Sequence, residues 1–130
     1  MRLDHRTIAG LIATGARALD LGCGDGSLLA HLAEDKNVRG QGVEISEEAV
    51  YRCVEKGVSV FHSDIASGLE GFPDRSFDYA ILNQSLQEVR NIGFVLDEAL
   101  RVADRAIVGL PNFAHIRARL TLFFRGRAPV

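Results

Sequence analysis

Apolar positions along the chain switch between two periods, and the switches mark its elements. Ile8, Leu11 and Ile12 lie on one helical face and predict a helix over residues 3–12, stopped by Thr14-Gly15. A short apolar run predicts a first strand over residues 17–21. Leu28, Leu29 and Leu32 return to helical spacing, in a helix expected to end near Asp35-Lys36-Asn37. Residues 40–45 predict a second strand that carries Glu44 at its end. Ser46 is then a good N-cap, and Glu47 and Glu48 suit the positive end of the next helix, for which Gly57 fits the C′ position. Residues 58–62, 77–82 and 105–110 read as strands three, four and five. Gly68, Gly71 and Pro73-Asp74 mark a loop, and Ile92, Val95, Leu96, Ala99, Leu100 and Ala103 form a helical stripe. A last helix is expected over residues 115–124, before Gly126 and Pro129 break the pattern.

Strands that alternate with helices predict an α/β fold: a Rossmann-like, doubly wound parallel sheet in a three-layer α/β/α sandwich. Right-handed crossovers leave few topologies. In such sheets a ligand lies outside the carboxyl ends of the strands, where strand order reverses. Asp20, Glu44, Asp64 and Asn83 each fall at or just beyond the carboxyl end of a predicted strand. With no repeat, low-complexity segment or linker, residues 1–130 read as one domain.

The chemistry concentrates in Asp20-Leu21-Gly22-Cys23-Gly24-Asp25-Gly26, a strand end followed by glycines at alternate positions and then a helix. Such a turn presents backbone N–H groups and lets a ligand approach the main chain closely. The dinucleotide pattern G-x-G-x-x-G fails at its third glycine, where Ser27 stands. Asp20, just before the glycines, would repel a pyrophosphate and suit an ammonium or sulfonium. Glu44 stands where an acid can accept both hydroxyls of a ribose. Asp64 could accept from the exocyclic amine of an adenine, and Ile45 and Ile65 could sandwich the ring. Ribose, adenine and a cationic amino-acid portion together describe S-adenosylmethionine. Each acid also has a plain reading, as a cap or turn residue, and so do Asn83 and Gln84. The conjunction is what favours a ligand.

Composition narrows the partners. With 15 Lys and Arg against 17 Asp and Glu, the formal net charge is −2, which argues against general nucleic-acid binding. No apolar run approaches a membrane span, and the N-terminal Met1-Arg2-Leu3-Asp4-His5-Arg6 lacks the apolar core of a signal peptide, so the cytoplasm is expected. Cys23 and Cys53 suggest neither a disulfide framework nor a metal site, and Cys53 reads as a small buried apolar residue on a helix.

The glycine turn, Gly42-Val43-Glu44-Ile45 and Phe77-Asp78-Tyr79-Ala80-Ile81-Leu82 resemble the class I S-adenosylmethionine-dependent methyltransferases. Residues 39–45, 72–79, 83–87, 105–108, 111–113 and 120–130 are further similar to the MetW family of methionine biosynthesis proteins. The resemblance implies a site for S-adenosylmethionine or S-adenosylhomocysteine built from Asp20, Gly22, Cys23, Gly24, Asp25, Gly26, Glu44, Ile45, Asp64, Ile65 and Asn83. It also implies a partner, homoserine O-acyltransferase (MetX), which this protein would support or regulate. The methyltransferase sheet ordinarily continues past strand five, so this chain is expected to be C-terminally truncated and to lack the last strands. Strand five would then be an open edge, inviting a homodimer.

Whether such a domain catalyses is open in the sequence. Acceptor contacts would come from Asn83, Gln84, Gln87 and residues 111–115, where His115 is either a general base or a surface histidine at a helix start. No nucleophile–base pair stands out. Arg117, Arg119, Arg125 and Arg127 form either a solvated face or a docking surface for an acidic patch. Two functions therefore stand side by side: a cofactor-binding accessory subunit of the acyltransferase, and a stand-alone methyltransferase acting on a small molecule.

Overall fold

The structure, a computed structural model, describes residues 5–83, 91–112 and 117–124, with side chains described as far as Gly109. The elements run α1 (His5–Ala9), β1 (Arg17–Leu21), α2 (Ser27–Lys36), β2 (Arg39–Glu44), α3 (Glu47–Glu55), β3 (Val60–His62), a 3₁₀ turn (Ile65–Ser67), β4 (Phe77–Leu82), α4 (Ile92–Val102), β5 (Ala103–Asn112) and β6 (Arg117–Phe124). The sheet order is β3-β2-β1-β4-β5-β6. The first five strands are parallel and β6 runs antiparallel to β5. Strand order reverses between β1 and β4, so the crevice of this sheet opens at their carboxyl ends.

Residue alternation sorts the core onto the two faces of the sheet. Ala18 of β1 and Ile81 of β4 pack with Ile8 and Ile12, with Leu28, Leu29 and Leu32 of α2, and with Cys53 of α3. Leu19, Leu21, Ala80 and Leu82 point the other way and pack with Val95, Ala99 and Val102 of α4. The three layers follow directly. Strand β2 makes room for α2 by omission: a Cβ on Gly40 would lie 2.7 Å from Leu29 Cδ2. Helix α3 begins on a working cap, because Ser46 Oγ accepts the Ala49 N–H. Lys36 closes the other end of the first layer by donating to the carbonyls of Ala9 and Ile12.

Three expectations are corrected. Residues 117–124 form a strand, not a helix. The alternation of Leu120, Leu122 and Phe124 with Arg119, Thr121 and Phe123 outweighs a helical reading once the free side of β5 needs a partner. Strand β5 is accordingly no open edge, since it pairs from Arg105↔Phe124 to Asn112↔Arg117, and the ground for a dimer through it is removed. The sheet thus holds one strand more than expected, an antiparallel one. Helix α4 also passes straight into β5 at Ala103, two residues before the expected start. Gln84, Gln87, Phe113, Ala114, His115, Arg125 and Arg127 lie outside the described residues. Among the described residues no helix is long and apolar enough to cross a membrane.

Candidate functional site

The three glycines after β1 all adopt left-handed backbone, with φ of 83° at Gly22, 58° at Gly24 and 84° at Gly26. Side-chain-bearing residues avoid that region, which is why the turn is written in alternate glycines. The chain folds back on β2, where the N–H groups of Gly22 and Cys23 both donate to the Val43 carbonyl. Asp25 then starts α2: its Oδ1 accepts the backbone N–H of Ser27 at 3.0 Å and the Ser27 hydroxyl at 2.6 Å. These bonds, with Lys56 nearby, hold the Asp25 carboxyl below the usual range. Lys56 Nζ donates to the Asp25 carbonyl at 3.0 Å, linking the turn to the end of α3.

Beneath the turn lies a cavity of about 240 Å³ whose lining includes His5, Asp20, Cys23, Asp25, Ser27 and Asn83. Asp20 and Asn83 are the two buried polar side chains of the described residues, 4% and 7% exposed; Asp20 stands in β1 and Asn83 just past the end of β4, the two strands that flank the crevice. Five of the expected site residues, Asp20, Gly22, Cys23, Asp25 and Asn83, are thus brought to one space. Glu44 joins them through the main chain: its Oε1 accepts the Gly24 N–H and its Oε2 the Ser46 N–H, each at 2.8 Å.

The remaining expected residues lie one strand further out. Ile45 is 62% exposed, and its carbonyl accepts a hydrogen bond from His62 Nε2 at 2.9 Å. Asp64 caps the 3₁₀ turn by accepting the Ala66 N–H, and Ile65 packs partly into the α4-side core. Neither isoleucine lines the cavity under the glycine turn.

The sequence profile of the family "Methionine biosynthesis protein MetW" matches residues 2–130. The chain belongs to the MetW family. The bifunctional methionine biosynthesis protein MetXA/MetW of Rhodopirellula baltica is 37% identical over 99% of this chain and 22% of its own length. The 27-O-demethylrifamycin SV methyltransferase of Amycolatopsis mediterranei is 32% identical over 78% of this chain and 40% of its own. In three dimensions the chain is similar to an S-adenosylmethionine-dependent methyltransferase from Thiobacillus denitrificans in complex with S-adenosylhomocysteine. The TM-score there is 0.64 at 23% identity, over 81% of this chain and 46% of the other. This MetW-family chain therefore has the methyltransferase fold and spans less than half the length of each of these relatives.

Two residues at this candidate site escape sequence reasoning. His5 reaches the cavity because α1 is held over the sheet by Lys36, a tertiary contact that leaves no local signature. Its ring meets His31 edge-on, 6.4 Å between centroids. Lys56 reads as an ordinary cation at a helix C-terminus, yet it grips the glycine turn. Cys23 and Cys53, far apart in sequence, stand with their sulfurs 3.7 Å apart. Burial, then the charge of Asp20, raises the Cys23 thiol far above its ordinary value. No cluster of three or more His, Cys, Asp or Glu able to hold a metal ion occurs among the described residues.

Proposed function

We propose that this chain binds S-adenosylmethionine at the carboxyl ends of β1, β2 and β4 and acts as an accessory, cofactor-sensing subunit of homoserine O-acyltransferase in the cytoplasm. The observation that carries the ligand reading is the cavity under the glycine turn, lined by a buried carboxylate, Asp20, and a buried amide, Asn83. A negative charge there disfavours a pyrophosphate and favours an ammonium beside a sulfonium. Glu44 retains capacity for a ribose: a carboxylate has about four acceptor positions, and the N–H groups of Gly24 and Ser46 occupy two. Asp64 and the exposed Ile45 are offered to the adenine. When bound, the cofactor supplies a methyl group on a positively charged sulfur. The chain's own part is to hold its ends: Asp20 the cation, Glu44 the sugar, the left-handed glycines the close approach of main chain.

The partner is supported by the Rhodopirellula protein, whose name joins MetXA and MetW in one chain. Calorimetric titration with S-adenosylmethionine, with and without the acyltransferase, tests ligand and coupling together. Binding by the free chain, altered affinity in the complex and an altered acylation rate are expected. No heat of binding in either arm overturns the ligand reading, and an acylation rate indifferent to cofactor overturns the sensor. Asp20→Asn, nearly isosteric, should abolish binding.

The second reading, a methyltransferase for a small molecule, is favoured by the similarity to the rifamycin methyltransferase. Transfer is an in-line displacement that needs an aligned acceptor more than an acid or base. Transfer of labelled methyl to a component of a cell extract would support it, whereas co-purification of the acyltransferase would support the first.

A further inference from the structure

Neither reading uses the thiols of Cys23 and Cys53 as reacting groups. Cys23 lies in the turn and Cys53 on α3, their Sγ atoms 3.7 Å apart, and Cys53 Sγ also donates to the Gly24 carbonyl at 3.1 Å. Two glycines make the space: a Cβ at Gly42 would lie 2.5 Å from Cys23 Sγ, and one at Gly26 would lie 3.0 Å from Cys53 Sγ. Both thiols are free, and the chain has two cysteines in all. Cys23 lines the cavity, while Cys53 is wholly buried behind it.

We propose that Cys23 and Cys53 are an oxidative modification site, at which a peroxide entering the cavity converts the pair into an intramolecular disulfide that ties the glycine turn to α3. Cys23 sulfur attacks one peroxide oxygen. An S–O bond forms as the O–O bond breaks, and the departing hydroxide leaves as water with the thiol proton. Cys53 sulfur then attacks the sulfenic sulfur. The S–S bond forms, the S–O bond breaks, and a second water carries away the Cys53 proton. The two sulfurs together lose two electrons, and the peroxide gains them.

A disulfide is about 2.05 Å long, so sulfurs now 3.7 Å apart must close by about 1.6 Å. That movement draws Cys53 from the Gly24 carbonyl and shifts a turn that Glu44 and Lys56 hold in place. The charged groups facing the pair are Asp20 of β1, Glu44 of β2, Asp25 of the turn and Lys56 after α3. Burial and these carboxylates raise both thiols above their ordinary range, so the reactive thiolate is scarce at neutral pH and oxidation should be slow there and accelerate as pH rises.

The test treats the reduced, full chain with hydrogen peroxide and reads intact mass and a non-reduced peptide map. A loss of two hydrogens, a Cys23–Cys53 linked peptide and reversal by dithiothreitol are expected, with no link in Cys53→Ala. Sulfinic acids or intermolecular dimers in place of the internal link overturn the site. A second arm rests on the ligand reading above: S-adenosylhomocysteine should slow the link, and the linked protein should bind it about tenfold more weakly. Full linkage with unchanged affinity overturns the effect on the turn. If the reduced chain binds no S-adenosylhomocysteine, the ligand reading fails, while the mass and the peptide map still decide the modification site.

Discussion

The carboxylate of Glu44 accepts the backbone N–H of Gly24 at 2.8 Å, so the end of β2 holds the middle of the glycine turn. Its second oxygen holds the N–H of Ser46, the cap of α3. One side chain therefore ties the turn to the start of α3. Glu44→Ala leaves both N–H groups to water and should cost about 1–2 kcal/mol in urea denaturation. It should also weaken S-adenosylhomocysteine binding by more than that loss explains. Glu44→Gln keeps one acceptor oxygen and should fall between. An unchanged denaturation midpoint in Glu44→Ala would show that the turn holds its shape without this carboxylate.

Gly42 shows how tightly β2 backs that turn. A Cβ there would lie 2.5 Å from Cys23 Sγ and 3.1 Å from Cys23 Cβ, both buried. Gly42→Ala should therefore destabilise by about 1–3 kcal/mol, the usual cost of an overfilled core. Removing the sulfur relieves the worse clash, so Gly42→Ala combined with Cys23→Ala should be more stable than the sum of the two changes predicts. Simple additivity in a double-mutant cycle would mean that the strand moves away instead.

These residues also show where sequence reasoning reached and where it stopped. Asp20, Glu44 and Asn83 were legible because local periodicity fixes the ends of β1, β2 and β4, and polar residues at those ends stand out. The left-handed turn was legible because alternate glycines have few other uses. The pairing of Cys23 with Cys53 was not, since it depends on how α3 docks against the turn. Residues 120–124 admit both periods: Leu120, Phe123 and Phe124 fit helical spacing while Leu120, Leu122 and Phe124 fit a strand. Only the neighbouring edge of β5 decides between them, and that is a non-local fact.

Arg101 of α4 organises the loop that leads into β4. Its guanidinium donates to the carbonyls of Leu69 at 2.7 Å and Phe72 at 2.9 Å, and to Asp74 at 2.8 Å. Its own carbonyl accepts the N–H of Arg75, a residue with φ of 54°. Arg101→Met should cost about 2 kcal/mol, because two carbonyls lose charged donors together. Arg101→Lys should recover less than half, since an ammonium cannot spread across that fork. Equal stability of the Lys variant and the unaltered chain would reduce Arg101 to a surface charge.

Asp78 sets an acid limit on the fold. Its Oδ2 accepts the backbone N–H of Arg17 at 2.8 Å, and Oδ1 meets the Arg17 guanidinium at 3.3 Å, joining the starts of β4 and β1. The backbone bond first, then the guanidinium, holds the Asp78 carboxyl below its usual range. In the unfolded chain that carboxyl titrates near its ordinary value of about 3.9. Between the two values the unfolded state binds more protons, so stability rises with pH there. The contribution is complete above the ordinary carboxyl value and is lost as pH falls through the lower, folded one. Asp25, depressed by its bonds to Ser27, adds to the same slope. Urea midpoints should therefore drop below about pH 4 and drop less steeply in Asp78→Asn. That variant should already be weaker at neutral pH, its amide meeting the Arg17 donors with one acceptor oxygen and no charge. Superimposable pH profiles for Asp78→Asn and the unaltered chain would assign the acid sensitivity to other carboxylates.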